Sequence, residues 1–242
     1  MIYALLFGSL ASLGLGVAVA LSMGGWSVSA LLIGWFAVSF GLASLAYGGL
    51  GPRTFGKRPD GSVPWWSLAL SGPFLVVGRA GLRAFNATGL ETPWSEVDAN
   101  VWLGRRPQGP DGTAFAGLAP RAVVDMTAEV AKSRHLQGHE AYLVLPTLDN
   151  ESPSPAQLER GLVFIETHRI HGPVYVHCAL GNGRAATMMA AWMLGTGRVE
   201  TPTDAVRMLQ ERRPSVGLSQ AQQRGLMQWH EGRRSACVIE DS

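Results

Sequence analysis

The residues best suited to do chemistry lie between Pro173 and Thr187, in the run Pro-Val-Tyr-Val-His-Cys-Ala-Leu-Gly-Asn-Gly-Arg-Ala-Ala-Thr. A β-branched run, Val174 to Val176, leads into His177 and Cys178, and five residues separate Cys178 from Arg184. A loop between a strand and the start of a helix can turn successive backbone N–H groups into one concavity, where the helix dipole adds positive potential. Gly181 and Gly183 permit the backbone angles such a loop needs and let its backbone come close to an anion. Arg184 supplies a planar pair of donors that fits two oxygens of a phosphate. The same positive surroundings favour the thiolate of Cys178. The segment therefore predicts a nucleophile at the floor of a phosphate cradle built from Ala179, Leu180, Gly181, Asn182, Gly183 and Arg184.

The elements that must hold this loop follow from the pattern around it. From residue 91 onward, short β-branched runs appear at Ala122–Val124, Tyr142–Leu145 and Val174–Val176. Amphipathic stretches alternate with them. Ser154 followed by Pro155 marks a helix start, with Leu158, Leu162 and Ile165 on one face. Arg184 to Leu194 predicts a helix that stops at Gly195 or Gly197. Thr201, Pro202 and Asp204 open another, and Ser219 to Trp229 forms the last. Such alternation over some 150 residues predicts a compact α/β domain with a largely parallel sheet. His135 and His139 stand four apart, but Gly138 intervenes and no third ligand is evident, so no metal or other cofactor is expected. Asp125 ends a strand and is expected to be structural. Arg105 and Arg106, before Pro107, are expected at the surface, with a secondary phosphate contact as the other possibility.

The His177-Cys178-x5-Arg184 motif after a strand resembles the cysteine-dependent protein phosphatase superfamily, and residues 95–232 resemble its dual-specificity branch. Val101-Trp-Leu-Gly104 is similar to the family's opening strand, and Arg121 to Glu129 to the strand and turn before its acid loop. Leu145-Pro-Thr-Leu-Asp149, about thirty residues before the cysteine, resembles the acid loop itself. Arg213-Pro214 and the glutamine-rich helix after it resemble the family's C-terminal end. The resemblance implies a dual-specificity-phosphatase-like α/β fold, with a central, mostly parallel sheet flanked by helices. It implies that Cys178 attacks phosphorus to form a phosphocysteine, and that Asp149 serves first as acid and then as base. Glu151 is the fallback acid. It implies that His177 orders the loop and tunes the thiolate. One position departs from the family: a Ser or Thr usually follows the arginine and stabilises the departing thiolate, and here Ala185 stands in its place. Slower breakdown of the intermediate is the expected result.

The N-terminal region has a different character. Residues 1–50 contain no Lys, Arg, Asp, Glu or His. Ile2 to Leu21 and Trp26 to Leu50 are each long enough to cross roughly 30 Å of hydrocarbon as a helix, and Met23, Gly24 and Gly25 break them apart. Two transmembrane helices in a hairpin are expected over 1–50. A cleaved signal peptide fits poorly, because no basic stretch follows Met1. Arg53, Lys57 and Arg58 come directly after the second span, which puts both termini in the cytoplasm. Gly8, Ser12, Gly16 and Ala20 recur every fourth residue and are expected to form the face that packs on the second span. Residues 51–90 are expected to be a basic connector with an interfacial amphipathic segment from Trp65 to Phe85; a third or re-entrant span is the alternative. The catalytic domain is expected over 91–232, and a polar tail over 233–242.

The formal charge of +2 combines this basic N-terminal region with a mildly acidic remainder. No basic stripe interleaved with aromatics is present, so no nucleic-acid partner is expected. The two cysteines, Cys178 and Cys237, do not form a disulfide framework, and a reactive thiol suits a reducing compartment. The expected function is a membrane-anchored phosphomonoesterase acting on phosphotyrosine or phosphoserine/threonine proteins, with a lipid phosphate as the alternative substrate; the expected partners are that substrate and a lipid bilayer. The expected location is a membrane, of bacterial inner-membrane kind, with the catalytic domain in the cytoplasm. Ala179, Leu180 and Asn182 are uncharged, which disfavours a heavily charged headgroup but leaves a lipid such as phosphatidylglycerophosphate. A phosphate-binding pseudophosphatase, suggested by Ala185 alone, is the reading from a different class.

Overall fold

The computed structural model describes residues 2–87, 89, 92–109, 111–139 and 141–240. The chain divides into two compact units, one dominated by Met1–Arg58 and Ser62–Thr88, the other by Gly89–Thr127 and Lys132–Ser242.

In the first unit, α1 (Ile2–Met23) and α2 (Ser27–Leu45) form an antiparallel hairpin around Gly24-Gly25-Trp26, and α2 continues as a π-helical turn over Ala46–Leu50. Both are long and apolar enough to cross a membrane. Their outer faces are bare: Leu5 is 68% exposed, Leu13 67% and Leu31 75%. The contact face is made of small residues. An added Cβ on Gly8 would lie 3.1 Å from Ser44 Oγ, and one on Gly14 would lie 3.3 Å from Ala37 Cβ. Added Cβ atoms on Gly41, Gly34 and Gly48 would make ordinary contact, at 3.8, 3.9 and 3.9 Å, with Ala11, Ala18 and Ala4. The packing stripe is therefore Ala4, Gly8, Ala11, Gly14 and Ala18. Of the expected quartet only Gly8 belongs to it, because Ser12, Gly16 and Ala20 face outward. The spacings are four, three, three and four residues, a mean of about 3.5 that suits a shallow left-handed crossing. A strict four-residue stripe would serve a steeper, right-handed one. After a 3-10 turn at Pro52–Phe55 come α3 (Trp65–Leu70) and α4 (Gly72–Ala87), in the region expected to be one interfacial segment.

The second unit is the expected α/β fold. Its elements are β1 (Trp94–Asp98), β2 (Val101–Arg105), α5 (Asp111–Leu118), β3 (Ala122–Thr127), β4 (Ala141–Thr147), α6 (Pro155–Arg169), β5 (Val174–Cys178), α7 (Arg184–Gly195), α8 (Pro202–Arg212) and α9 (Gln220–Glu240). The sheet order is β1-β2-β5-β3-β4. Only β1 runs antiparallel to its neighbour. Strand β5 is central and buried along its whole length, which explains its unbroken apolar run.

The helix starts follow local chemistry. Ser154 and Gln157 form a reciprocal capping box at α6, with Pro155 in the first turn. Thr201 caps α8 by accepting from the Asp204 N–H at 3.1 Å. Helix α7 is buried from Arg184 to Leu194, with Trp192 fully enclosed. Its side chains share one hydrophobic core with Leu103, Val124 and Val176 of the sheet and Leu158 of α6. The one clear departure is at the C-terminal end. Residues 233–240, expected as a polar tail, continue α9. Trp229 Nε1 and Arg233 Nη1 both donate to Glu159, which fastens this last helix to α6.

Candidate functional site

In an open parallel sheet the carboxyl ends of the strands are where loops can gather around a ligand. Strand β5 ends at Cys178, and α7 begins at Arg184, so the intervening loop occupies that position.

The orientation of the loop follows from its carbonyls. Ala179 O accepts from Arg106 N at 3.3 Å, and Leu180 O accepts from Arg213 Nη2 at 2.9 Å. Asn182 O accepts from Gly217 N at 3.1 Å, and Gly183 O from Thr187 N at 2.8 Å. In a trans peptide the N–H of the next residue points opposite to the carbonyl. Four carbonyls tied to partners outside the loop therefore turn the N–H groups of Leu180, Gly181, Gly183 and Arg184 the other way. Gly181 N donates to Cys178 Sγ at 3.1 Å. The loop is thus a cup of amides around a thiol, a geometry that binds tetrahedral oxyanions.

Glycine is required at position 181 for two reasons. Its φ is +85°, a left-handed angle, and an added Cβ would lie 2.5 Å from the backbone of Gly104 on β2. At Gly183, the N-cap residue just before α7, an added Cβ would come 3.1 Å from the Gln222 amide.

Arg184 is 1% exposed. Its Nη1 donates to Thr147 O, at the end of β4, at 2.9 Å. Its Nε lies 3.3 Å from Asp149 Oδ1, and the Asp149 side chain is 62% exposed. The loop from Cys178 to Arg184 and the turn that carries Asp149 thus meet, from two separate stretches of chain, at the Arg184–Asp149 pair. Asp149 sits in a turn closed by Glu151 N donating to Leu148 O at 3.1 Å, with Asn150 at a left-handed φ of +61°. Glu151, the fallback acid, has its backbone carbonyl engaged by Gln222 Nε2 at 3.3 Å.

His177 is fully buried, with its ring stacked on Tyr175 at 5.7 Å. Its Nδ1 is 3.3 Å from Cys178 O, and its Nε2 is 3.9 Å from Asp125 Oδ1. Asp125 is buried as well. It accepts from Thr127 Oγ1 at 2.7 Å and from Tyr142 Oη at 2.6 Å. Burial, then the negative Asp125 beside it, hold the Tyr142 phenol far above its ordinary range. Asp125, expected to be structural, is thus held by side chains of β3 and β4.

One expectation changes. Arg105 is not a surface charge. Its guanidinium grips Asp111 with two bonds, 2.8 and 3.2 Å long, and both side chains are mostly buried. Arg106 contributes through its backbone, as the donor to Ala179 O. The Cys237 side chain lies outside the described residues.

Two residues matter more to the site than the sequence suggested. Arg213 is 2% exposed, and its three nitrogens reach Asn182 Oδ1 at 3.0 Å, Thr92 O at 2.8 Å and Leu180 O at 2.9 Å. It braces the outside of the anion loop. Gln222 forms a reciprocal capping pair with Ser219 and reaches back to Glu151 O. Ser219 Oγ donates to Asn150 O at 2.6 Å. The start of α9 therefore holds the turn that carries Asp149. The readable signal was Ser219-x-x-Gln222, a capping-box spacing with its glutamine buried.

Comparison with known proteins is consistent with this geometry. The family model described as dual specificity phosphatase, catalytic domain, matches residues 101–232, more than half of the chain. Human phosphatidylglycerophosphatase and protein-tyrosine phosphatase 1 is 33% identical over 88 residues, covering 36% of this chain and 40% of that protein. Mouse dual specificity protein phosphatase 1 is 25% identical over 123 residues, 50% of this chain and 33% of that protein. The chain thus spans less than half the length of either relative. Among solved structures, PTPMT1 in complex with PI(5)P superposes with a TM-score of 0.53 at 22% identity, covering 60% of this chain and 99% of that one, a likeness of fold. Tk-PTP in its active form has a TM-score of 0.51 at 25% identity, covering 59% and 99%.

Proposed function

Since the chain belongs to the dual specificity phosphatase family, we propose that it is a membrane-anchored phosphomonoesterase acting on a lightly charged lipid phosphate of the phosphatidylglycerophosphate kind. The observation that carries the chemistry is the amide cup around Cys178, with a buried arginine at the start of the helix and an exposed carboxylate beside that arginine.

The Cys178 thiolate attacks phosphorus, forming the P–S bond as the P–O ester bond breaks. Asp149 gives its proton to the departing oxygen. The N–H groups of Leu180, Gly181, Gly183 and Arg184, together with the Arg184 guanidinium, hold the equatorial oxygens as charge shifts among them. Water then attacks the phosphocysteine, Asp149 takes its proton, and inorganic phosphate leaves as the thiolate re-forms. His177, stacked and buried next to the nucleophile, keeps the strand end in register.

Three features support a lipid substrate. Within the cup only Arg184 is charged, which suits a headgroup with a single phosphomonoester. The human relative's name includes phosphatidylglycerophosphatase. The two apolar N-terminal helices, with Arg53, Lys57 and Arg58 after them, would span a bilayer, keep the catalytic domain in the cytoplasm and raise the local concentration of lipid substrate. A bacterial inner membrane fits that arrangement. A phosphoprotein substrate is the second reading, supported by the similarity to mouse dual specificity protein phosphatase 1.

Full-length protein in bilayers, assayed side by side on phosphatidylglycerophosphate and on phosphotyrosine and phosphothreonine peptides, tests the proposal. The lipid should be turned over with the higher kcat/KM, and Cys178→Ser should abolish that turnover. Preference for peptides would establish the second reading. Vanadate binding without turnover of any phosphomonoester would make the protein a phosphate-binding adaptor instead.

A further inference from the structure

We infer that α3 and the start of α4 lie inside the hydrocarbon layer as a re-entrant element docked on α2, so that lipid rather than water covers Leu70, Val76 and Val77. The inference rests on the reading that α1 and α2 cross a bilayer.

The hairpin itself supplies a depth scale. Ala4 meets Gly48, Gly8 meets Ser44, Ala11 meets Gly41, Gly14 meets Ala37 and Ala18 meets Gly34. On that register the middle of the hairpin falls at Ser12 and Leu13 on α1 and at Ser39 and Phe40 on α2. Helix α1 has 22 residues, about 33 Å, so its middle coincides with the middle of a hydrocarbon core about 30 Å thick.

The first turn of α4 is attached at that depth. Phe74 N donates to Ser39 Oγ at 3.1 Å. The Phe74 ring packs against Phe40 at 5.8 Å, Phe7 at 5.4 Å and Phe55 at 6.0 Å. An added Cβ on Gly72 would lie 2.9 Å from the Trp35 ring, so only glycine allows this approach.

The backbone hydrogen bonds point the same way. Pro73 has no N–H, so the carbonyl of Ala69, four residues earlier, has no helical donor. Trp35 Nε1 donates to it at 2.8 Å. Ser39 Oγ takes the N–H of Phe74 on the other side of the proline. Two backbone groups at the kink are thus satisfied by side chains of α2. At a membrane surface water would serve for both; within hydrocarbon a neighbouring helix must.

The direction of α4 follows from two contacts. Gly72 meets Trp35, and Phe74 meets Ser39 and Phe40, so α4 heads toward the Leu50 end of α2. That is the end followed by Arg53, Lys57 and Arg58. Arg79 and Arg83 lie five and nine residues beyond Phe74, about 7.5 and 13.5 Å along a helix. Half of the hydrocarbon thickness is about 15 Å, so both guanidinium groups can reach the headgroups of that leaflet by snorkelling. Val76 and Val77, 63% and 50% exposed, continue the bare apolar surface of α1 and α2. The segment enters and leaves through one face, in place of the surface-lying helix expected from its sequence.

The test is depth measurement by spin labelling of the full chain in liposomes, with Cys178→Ser and Cys237→Ser as background. Single labels are placed by Leu13→Cys at mid-hairpin, by Val76→Cys, and by Arg83→Cys. The inference expects labels 13 and 76 to collide with dissolved oxygen and lose collisions with a water-soluble nickel chelate, and label 83 to regain them. A deep label 13 with a water-exposed label 76 overturns the inference and leaves the hairpin anchor standing. A water-exposed label 13 overturns the membrane reading and this inference together. Should the substituted chain fail to fold, photolabelling of the unmodified protein by a diazirine carried mid-acyl chain gives the same readout. Adducts are expected between Leu70 and Val77, and their absence beside labelled α1 overturns the inference.

Discussion

Asp149 Oδ1 lies 3.3 Å from Arg184 Nε, an ion pair between a carboxylate 62% exposed and a guanidinium 1% exposed. The asymmetry matters. Arg184 is fixed by Thr147 O and by its place in α7, whereas Asp149 stands in water at the tip of a turn. An ion pair with one exposed partner contributes little to stability. In the proposed reaction its value would be positional, keeping a carboxylic acid within reach of the oxygen that must leave phosphorus.

Asp149→Asn should therefore leave the fold intact and slow the chemistry. With alkyl phosphates, whose leaving groups need a proton, kcat/KM, which reports the step that expels the leaving group, should fall by about 10²- to 10⁴-fold. With aryl phosphates bearing electron-withdrawing groups the loss should be far smaller. A leaving-group series on wild type and variant measures the difference, and equal losses across the series would remove Asp149 from the acid role.

Arg213 shows what a buried cation does for an anion loop. It holds Leu180 O and Asn182 Oδ1 outward, which keeps the N–H of Gly181 facing Cys178. Arg213→Met preserves bulk and removes three donors. Acceptors left without partners in a buried site cost about 1–3 kcal/mol each, less what water recovers. The variant should melt earlier, bind vanadate more weakly and lose kcat/KM. Vanadate affinity is the discriminating measurement, because a purely structural role would lower the melting point and leave it unchanged.

The parts of the site that are local in sequence were legible there. Strand, loop and helix around Cys178 are contiguous, and their residue types carry the geometry almost alone. Asp149 was found through family resemblance, since its link to Arg184 crosses 35 positions of chain. Arg213 and Gln222 were overlooked for the same reason: they act on backbone atoms at Leu180 and Glu151, and no local pattern announces such partners. The packing stripe of α1 was misread because composition shows which residues are small, but not whether the crossing follows a 3.5- or a 4-residue period. Residues 233–240 looked like a tail because their polarity hides one anchoring contact, Arg233 with Glu159.

Glu166 gives a pH-dependent prediction away from the site. Hydrogen bonding from Arg169 holds its carboxyl below the usual range, against the opposing effect of burial, with Trp192 Nε1 and the Arg198 charge adding to the depression. A carboxyl depressed in the folded state contributes stability that is present above its unfolded pKa, about 4.3. That contribution is lost as pH falls through the folded value. Glu166→Gln should cost about 1 kcal/mol at neutral pH. Urea unfolding of the full chain, followed by tryptophan fluorescence, should show the two proteins converging as the solution is taken below about pH 4. A gap that stays constant would show that the carboxylate charge is not its source.

Ala185 concerns the second half of the reaction. It is fully buried in the first turn of α7, directly after Arg184. A hydroxyl there would help the thiolate leave the phosphocysteine. The nearest hydroxyl along the helix, Thr187 Oγ1, donates instead to Gly183 O at 3.0 Å, so it is committed to the backbone. Breakdown of the intermediate should then limit turnover. Rapid mixing with an aryl phosphate should show a burst of released phenol equal to the enzyme concentration, followed by a slow steady state. Ala185→Ser adds one oxygen at that position. It should raise the steady-state rate by roughly tenfold, the effect of about 1.4 kcal/mol on the limiting barrier, and shrink the burst. A wild-type enzyme without a burst, together with an unchanged rate in the variant, would place the slow step before the phosphocysteine and leave Ala185 without a kinetic role.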